Sequence, residues 1–144
     1  MKKERYIGKV VIDLSHQLKR DIEKAATEHG LTRTQAMLIR YLEVESQKRE
    51  VFQKDVEKEF CIRKSSVTSV IQLLERNGYI IRESVHEDAR LKKILLTDKA
   101  REVNNIIREG LEKREAKFYQ ALTSEEVESF FRIMDKISST IEEN

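Results

Sequence analysis

A mainly α-helical chain with one small β-hairpin is predicted by three observations. Apolar residues recur at helical spacing through residues 1–30 and 98–144. Between them, residues 53–97 read as two short helices followed by two β-prone runs. The 144 residues contain no Pro and no Gly-rich linker, which predicts one compact unit over 1–144, burying roughly two thirds of its unfolded surface.

In chain order, Ile7, Val11, Leu14, Leu18, Ile22 and Ala25 repeat every three or four residues. That is the stripe of an amphipathic helix, ending at Gly30. Thr32-x-x-Gln35 has capping-box form and opens a second helix with Ala36, Leu38, Ile39 and Leu42 apolar. Gln53–Phe60 fits two turns with Val56 and Phe60 inward, although Phe52 offers no side-chain cap. Cys61-Ile62-Arg63 is a tight turn before the next helix. Tyr79–Val85 and Lys92–Thr97 are β-prone, with His86–Leu91 as the tip between them. Thr97 then caps a helix running to about Leu122; Gly110 inside it costs about 1 kcal/mol against Ala and suggests a bend or close packing. Thr123-x-x-Glu126 opens a last helix with Val127, Phe130, Phe131, Met134, Ile137 and Ile141 on one face.

The central helix is the most informative element. From Cys61 to Leu74 there is no Asp or Glu, in a chain that is 38% charged. Val67, Val70, Ile71 and Leu74 share one face at i, i+3, i+4 and i+7. The opposite face carries Ser65, Ser69, Gln72 and Arg76, with Thr68 at its edge. Short hydroxyls, an amide and a guanidinium are the groups that contact base edges and phosphates, and a carboxylate there would repel the DNA backbone. Taken alone, this is also how an ordinary solvated helix face looks. The helix ends at Asn77-Gly78, a left-handed cap.

Its surroundings give it meaning. Two short helices joined by a tight turn make a helix-turn-helix with the second helix as reader. With the hairpin that follows, the unit over residues 31–97 is a winged helix-turn-helix. Arg90 at the wing tip, with Lys92 and Lys93 behind it, can enter a neighbouring minor groove.

The run DARLKKILLT (88–97) resembles the Asp-x-Arg…Leu-Thr wing signature of the MarR (multiple antibiotic resistance regulator) family. RKSSVTSVIQLLERNGYIIRE (63–83) is similar to that family's reader helix and first wing strand, and GLTRTQAMLIRYL (30–42) to its second helix. The likeness extends over nearly the whole chain. It implies a homodimeric transcription regulator, often a repressor released by a small anionic or phenolic ligand or by oxidation. It further implies that Arg90 reaches the minor groove and that Asp88 braces it. Cys61 departs from the pattern, since Gly or a small polar residue is expected in the turn.

Charge and composition narrow the alternatives. Net charge is only +2, but it is unevenly distributed. Residues 1–48 carry 10 basic and 7 acidic side chains, residues 49–97 carry 10 and 8, and residues 98–144 carry 8 and 11. The acidic C-terminal stretch should therefore face away from phosphate. No apolar run approaches membrane length and no secretory signal is recognisable, so a cytoplasmic protein away from membranes is expected. The single Cys makes no internal disulfide. His16, His29, His86 and Cys61 lack ligand spacing, so no metal and no cofactor is expected. No nucleophile–base pair, phosphate-binding Gly loop or pair of catalytic carboxylates appears, which argues against an enzyme.

The expected function is that of a sequence-specific DNA-binding regulator, a repressor that reads an inverted repeat on double-stranded DNA as a homodimer. Ser65, Ser66, Thr68, Ser69 and Gln72 would meet bases or phosphates, and Arg63, Lys64 and Arg76 phosphates. Arg90 would enter the minor groove, with Lys92 and Lys93 adding positive charge. Residues 1–30 and 98–144 would form a helical dimerisation region, because Tyr6, Ile7, Phe130 and Phe131 need a covering surface. An effector would sit near His16, Arg20 and Tyr41, although solvated positions for the first two and a core or interface position for the third explain them equally. Cys61 reads as a small apolar filler, with redox sensing as the alternative. The competing function is a winged-helix interaction module or antirepressor that does not bind DNA.

Overall fold

The computed structural model describes residues 5–85 and 88–142, the side chains of Asp88 and Ala89 excepted. The helical periodicities form α1 (Ile7–Glu28), α2 (Arg33–Glu45), α3 (Gln53–Phe60), α4 (Lys64–Arg76), α5 (Asp98–Ala121) and α6 (Ser124–Glu142). The β-prone runs form β1 (Ile80–Val85) and β2 (Asp88–Leu96), an antiparallel pair between α4 and α5. Among the described residues, no helix is long and apolar enough to cross a membrane. The chain divides into two compact units, one up to Ile107 and one from Arg108 onward.

The first unit owns the core. Leu38, Ile39 and Leu42 on α2 are buried with Val56 on α3, Val67, Ile71 and Leu74 on α4, Ile80 on β1 and Ile94 on β2. α2 packs on α1, α4 and β2, while α3 packs on α4 and β2. Two devices set the helix starts. Thr32 and Gln35 form the expected capping box, Gln35 N–H donating to Thr32 Oγ1 at 3.2 Å and Thr32 N–H to Gln35 Oε1 at 2.9 Å. At α3, Phe52 has no acceptor to offer, but Asp55 reaches back and accepts the Phe52 N–H at 2.9 Å. The cap absent from Phe52 is thus half-supplied from within the helix.

The hairpin is held at its base as well as along its length. Ile94 N–H donates to Val51 O at 2.8 Å and Phe52 bridges Lys93, so the α2–α3 connection adds a short third rung to the sheet. The register runs from Ile80 opposite Leu96 to Ser84 opposite Lys92, then jumps to Val85 opposite Asp88. β2 therefore begins at Asp88, earlier than the expected Lys92, with Ala89, Arg90 and Leu91 left out of the pairing as a bulge between the Lys92 and Asp88 pairs. Bulges add local twist and re-aim side chains. His86 and Glu87 of the expected tip lie outside the described residues.

In the second unit, Thr123 and Glu126 cap α6 reciprocally, with Glu126 N–H to Thr123 Oγ1 at 3.2 Å and Thr123 N–H to Glu126 Oε2 at 2.8 Å. No described residue of α6 is buried. Phe130 and Phe131 pack edge to face with centroids 5.5 Å apart, yet each remains about half exposed. Within this chain, a Cβ added at Gly110 would meet nothing within 4 Å.

Candidate nucleic-acid interface

The reader helix presents the face that its sequence defines. Val67, Ile71 and Leu74 are buried and Val70 is half-buried, whereas Ser65, Ser66, Ser69, Gln72 and Arg76 are exposed. Arg63 and Lys64 are exposed at its N-terminal end. The helix is preceded by Cys61, the only described non-glycine residue with positive φ, at 49°. That value explains why Gly is expected in this turn: a Cβ in the left-handed region costs about 1–2 kcal/mol. Cys61 is also exposed, so it does not act as an apolar filler; its Sγ lies 3.5 Å from Lys58 O.

Two of the expected DNA-facing hydroxyls have local partners. Gln53 Nε2 donates to Thr68 Oγ1 at 2.8 Å, and that hydroxyl donates to Lys64 O at 2.9 Å. Thr68 thereby ties α4 to α3, fixing the angle of the helix-turn-helix. Ser69 Oγ donates to Ser65 O at 3.0 Å, which leaves its oxygen as an acceptor.

The end of α4 is clamped to the wing. Arg82 on β1 donates from Nε to Glu75 Oε2 at 3.0 Å and from Nη2 to Glu75 Oε1 at 2.9 Å. That hydrogen bonding holds the Glu75 carboxyl below its ordinary range. Gly78, with φ of 79°, makes the left-handed turn that lets Tyr79 N–H reach Leu74 O at 2.9 Å. From the far side, Thr97 Oγ1 donates to Gly78 O at 2.6 Å. Lys99 Nζ donates to Asn77 O at 2.7 Å while standing 4.4 Å over the Tyr79 ring. Thr97, part of the wing signature, thus locks the reader-to-wing turn as well as capping α5, where Ala100 N–H reaches its hydroxyl at 3.4 Å.

On the wing, Arg90 is exposed within the bulge and Lys92 is exposed beside it. Lys93 is placed differently: it is half-buried midway along the hairpin, 3.7 Å from Glu50 and 3.9 Å from Glu83. Bracing of Arg90 by Asp88 falls outside the described side chains.

The residues expected around an effector divide. His16 and Arg20 are exposed on α1. Tyr41 on α2 packs edge-on against Phe60, with centroids 5.7 Å apart, and accepts from Arg49 Nη2 at 3.2 Å. Burial raises its hydroxyl above the ordinary range, partly offset by Arg49. Arg49 also pairs with Asp55 at 3.1 Å and Glu45 at 3.3 Å, joining α2 to the start of α3. Sequence reasoning missed Gln53, Arg49, Glu75 and Arg82, whose partners lie four to fifteen residues away and mostly on another element. Only the unlike charges of Glu75 and Arg82, flanking a turn, hinted at a pair. Among the described residues, no cluster of His, Cys, Asp or Glu could hold a metal ion.

Comparison with known proteins places this geometry. No curated protein sequence matches the chain. The transcription regulator MarR from Oenococcus oeni PSU-1 is 28% identical, with a TM-score of 0.72 over 93% of this chain and 99% of that one. MepR of S. aureus, solved as a DNA complex, has a TM-score of 0.83 at 22% identity, over 96% and 99% of the two chains. A third structure, a MarR family transcription regulator, reaches 0.84 at 17% identity over 94% and 87%. Residues 29–91, from the end of α1 into the wing bulge, match the sequence model of the MarR family. With six helices, a two-stranded wing and that matched segment in agreement, residues 29–91 form a MarR-family segment within a chain that has the winged helix-turn-helix fold.

Proposed function

We propose that this protein is a dimeric, sequence-specific DNA-binding transcription regulator, acting as a repressor in the cytoplasm. The observation that carries the reading is the pairing, within one unit, of an exposed carboxylate-free helix face with an exposed arginine in the wing bulge. In this reading Ser65, Ser66, Ser69 and Gln72 meet base edges or phosphates in the major groove. Arg63, Lys64, Arg76 and Lys92 hold phosphates, and Arg90 enters the minor groove. The solved DNA complex of MepR, a protein of the same fold, supports it.

The proposed division of labour assigns DNA contact to residues 31–97 and dimerisation to 1–30 and 98–144. Supporting it, Tyr6, Ile7, Phe130, Phe131 and Ile141 are large apolar side chains left exposed on α6 and at the start of α1. A second copy covering them would present two reader helices about one turn of DNA apart, the spacing of an inverted repeat. Release by a small anionic or phenolic effector belongs to the same proposal.

The test is fluorescence anisotropy on the duplex that the protein selects from a random-sequence pool. Arg90→Ala should weaken binding by about 1–3 kcal/mol, and Lys64→Gln should flatten the salt dependence by about one unit. Selection of no duplex at all would remove the DNA reading in favour of an interaction module.

A further inference from the structure

We infer that Glu75 and Arg82 are positioning residues of the DNA interface, their two-point fork fixing the angle between reader helix and wing. The inference rests on the DNA-binding reading above. Glu75 is the first carboxylate after the acid-free stretch, in the last turn of α4, and Arg82 is the third residue of β1. Their two bonds, at 3.0 and 2.9 Å, join two nitrogens of a planar guanidinium to both oxygens of a planar carboxylate. Such a fork restricts rotation as well as distance, which one hydrogen bond does not.

The fork lies where the angle is decided. The connection between α4 and β1 is only Asn77, Gly78 and Tyr79, and Thr97 and Lys99 fix its carbonyls without reaching the strand beyond it. β1 is bound to β2 along its length, so holding Arg82 holds the whole hairpin, including the Arg90 bulge. By residue type alone Arg82 is indistinguishable from a wing cation that holds phosphate. In the structure its Nε–Nη2 edge, two of the five guanidinium N–H donors, is committed to Glu75, and the side chain is about three-quarters covered. A cation so engaged organises the interface without touching the nucleic acid.

The experiment compares Arg82→Lys and Arg82→Gln with the parent on the pool-selected duplex, at several salt concentrations. Lysine keeps the charge but offers a point donor in place of the planar fork. Both variants should bind about fivefold more weakly, with the salt dependence unchanged. Arg82→Lys binding within about twofold of the parent would show that charge alone matters and overturn the proposal. A salt slope lowered by about one unit in Arg82→Gln would make Arg82 a phosphate contact, which also overturns it. Circular dichroism establishes that each variant is folded, and Arg82→Lys carries the test where the glutamine variant is not. If the parent selects no duplex, the DNA reading fails by itself, and amide exchange of Ile81 and Arg82 decides about the fork. Exchange accelerated about fivefold in Arg82→Lys supports the constraint, and unchanged exchange overturns it.

Discussion

Apart from α1 and its N-cap, where Tyr6, Ile7, Val10, Ile12 and Leu14 stay exposed, the first unit of this chain closes a core and the second does not. Up to Ile107, Leu38, Ile39, Leu42, Val56, Ile71, Leu74, Ile80 and Ile94 are all withdrawn from water by their own chain. From Arg108 onward the apolar residues are as regularly spaced, but none of those described in α6 is buried, and Phe131 is 52% exposed. Helical periodicity is therefore common to both units, whereas closure of a core is not. A periodic apolar stripe specifies that a surface must be covered; it does not specify by which chain.

That contrast can be broken by truncating one residue on each side. Ile71→Ala should cost about 2–5 kcal/mol in urea unfolding at any protein concentration, since the cavity lies inside one chain. Phe131→Asp should leave the first unit folded and weaken self-association by about a hundredfold or more in analytical ultracentrifugation. An assembly state unmoved by Phe131→Asp would show that α6 needs no second copy, and the contrast would lose its meaning.

Acid sharpens it next. In the first unit, burial pushes the Asp55 carboxyl up, but the Phe52 N–H and Arg49 outweigh it and the net shift is downward. The Arg82 fork lowers Glu75 likewise. Folded carboxyls with depressed values bind fewer protons than the unfolded chain, so stability rises with pH through this range. The contribution is complete above the ordinary values of 3.8 and 4.5 and is lost as pH falls through the lower folded values. Urea midpoints between pH 6 and pH 3 should fall in the parent, and fall less steeply in Asp55→Asn; parallel profiles would remove Asp55 from the account.

The smallest effect is at the turn between α3 and α4. Cys61→Gly should raise stability by about 0.5 kcal/mol, because relief of the left-handed Cβ exceeds the added freedom of the unfolded chain. A lower melting temperature in this variant would mean that the Cys61 side chain contributes more than its backbone costs.

Much of the fold was legible because it depends on short-range order. Thr32 and Gln35, Thr123 and Glu126, and the Asn77-Gly78 stop are each local devices, and each was found where the spacing put it. The polar face of α4 was legible for the same reason. The hairpin was legible as a pair of strands but not in register: nothing in the run from His86 to Leu91 distinguishes an open tip from an inserted bulge. The assignment of charges was least legible. Lys92 and Lys93 are adjacent and alike in sequence, yet one is exposed and the other lies between Glu50 and Glu83.

The sequence by itself determined the helices, their caps, the acid-free reader face and the two strands, since these follow from spacing within a turn or two of chain. The tertiary structure decided which polar groups remain available. It gave Thr68 to Gln53, Arg82 to Glu75 and Tyr41 to Arg49. Hydrogen bonds of this kind join residues that folding brings within about 3 Å. A side chain's type states what it can bind, and only its neighbours in space state whether that capacity is already used.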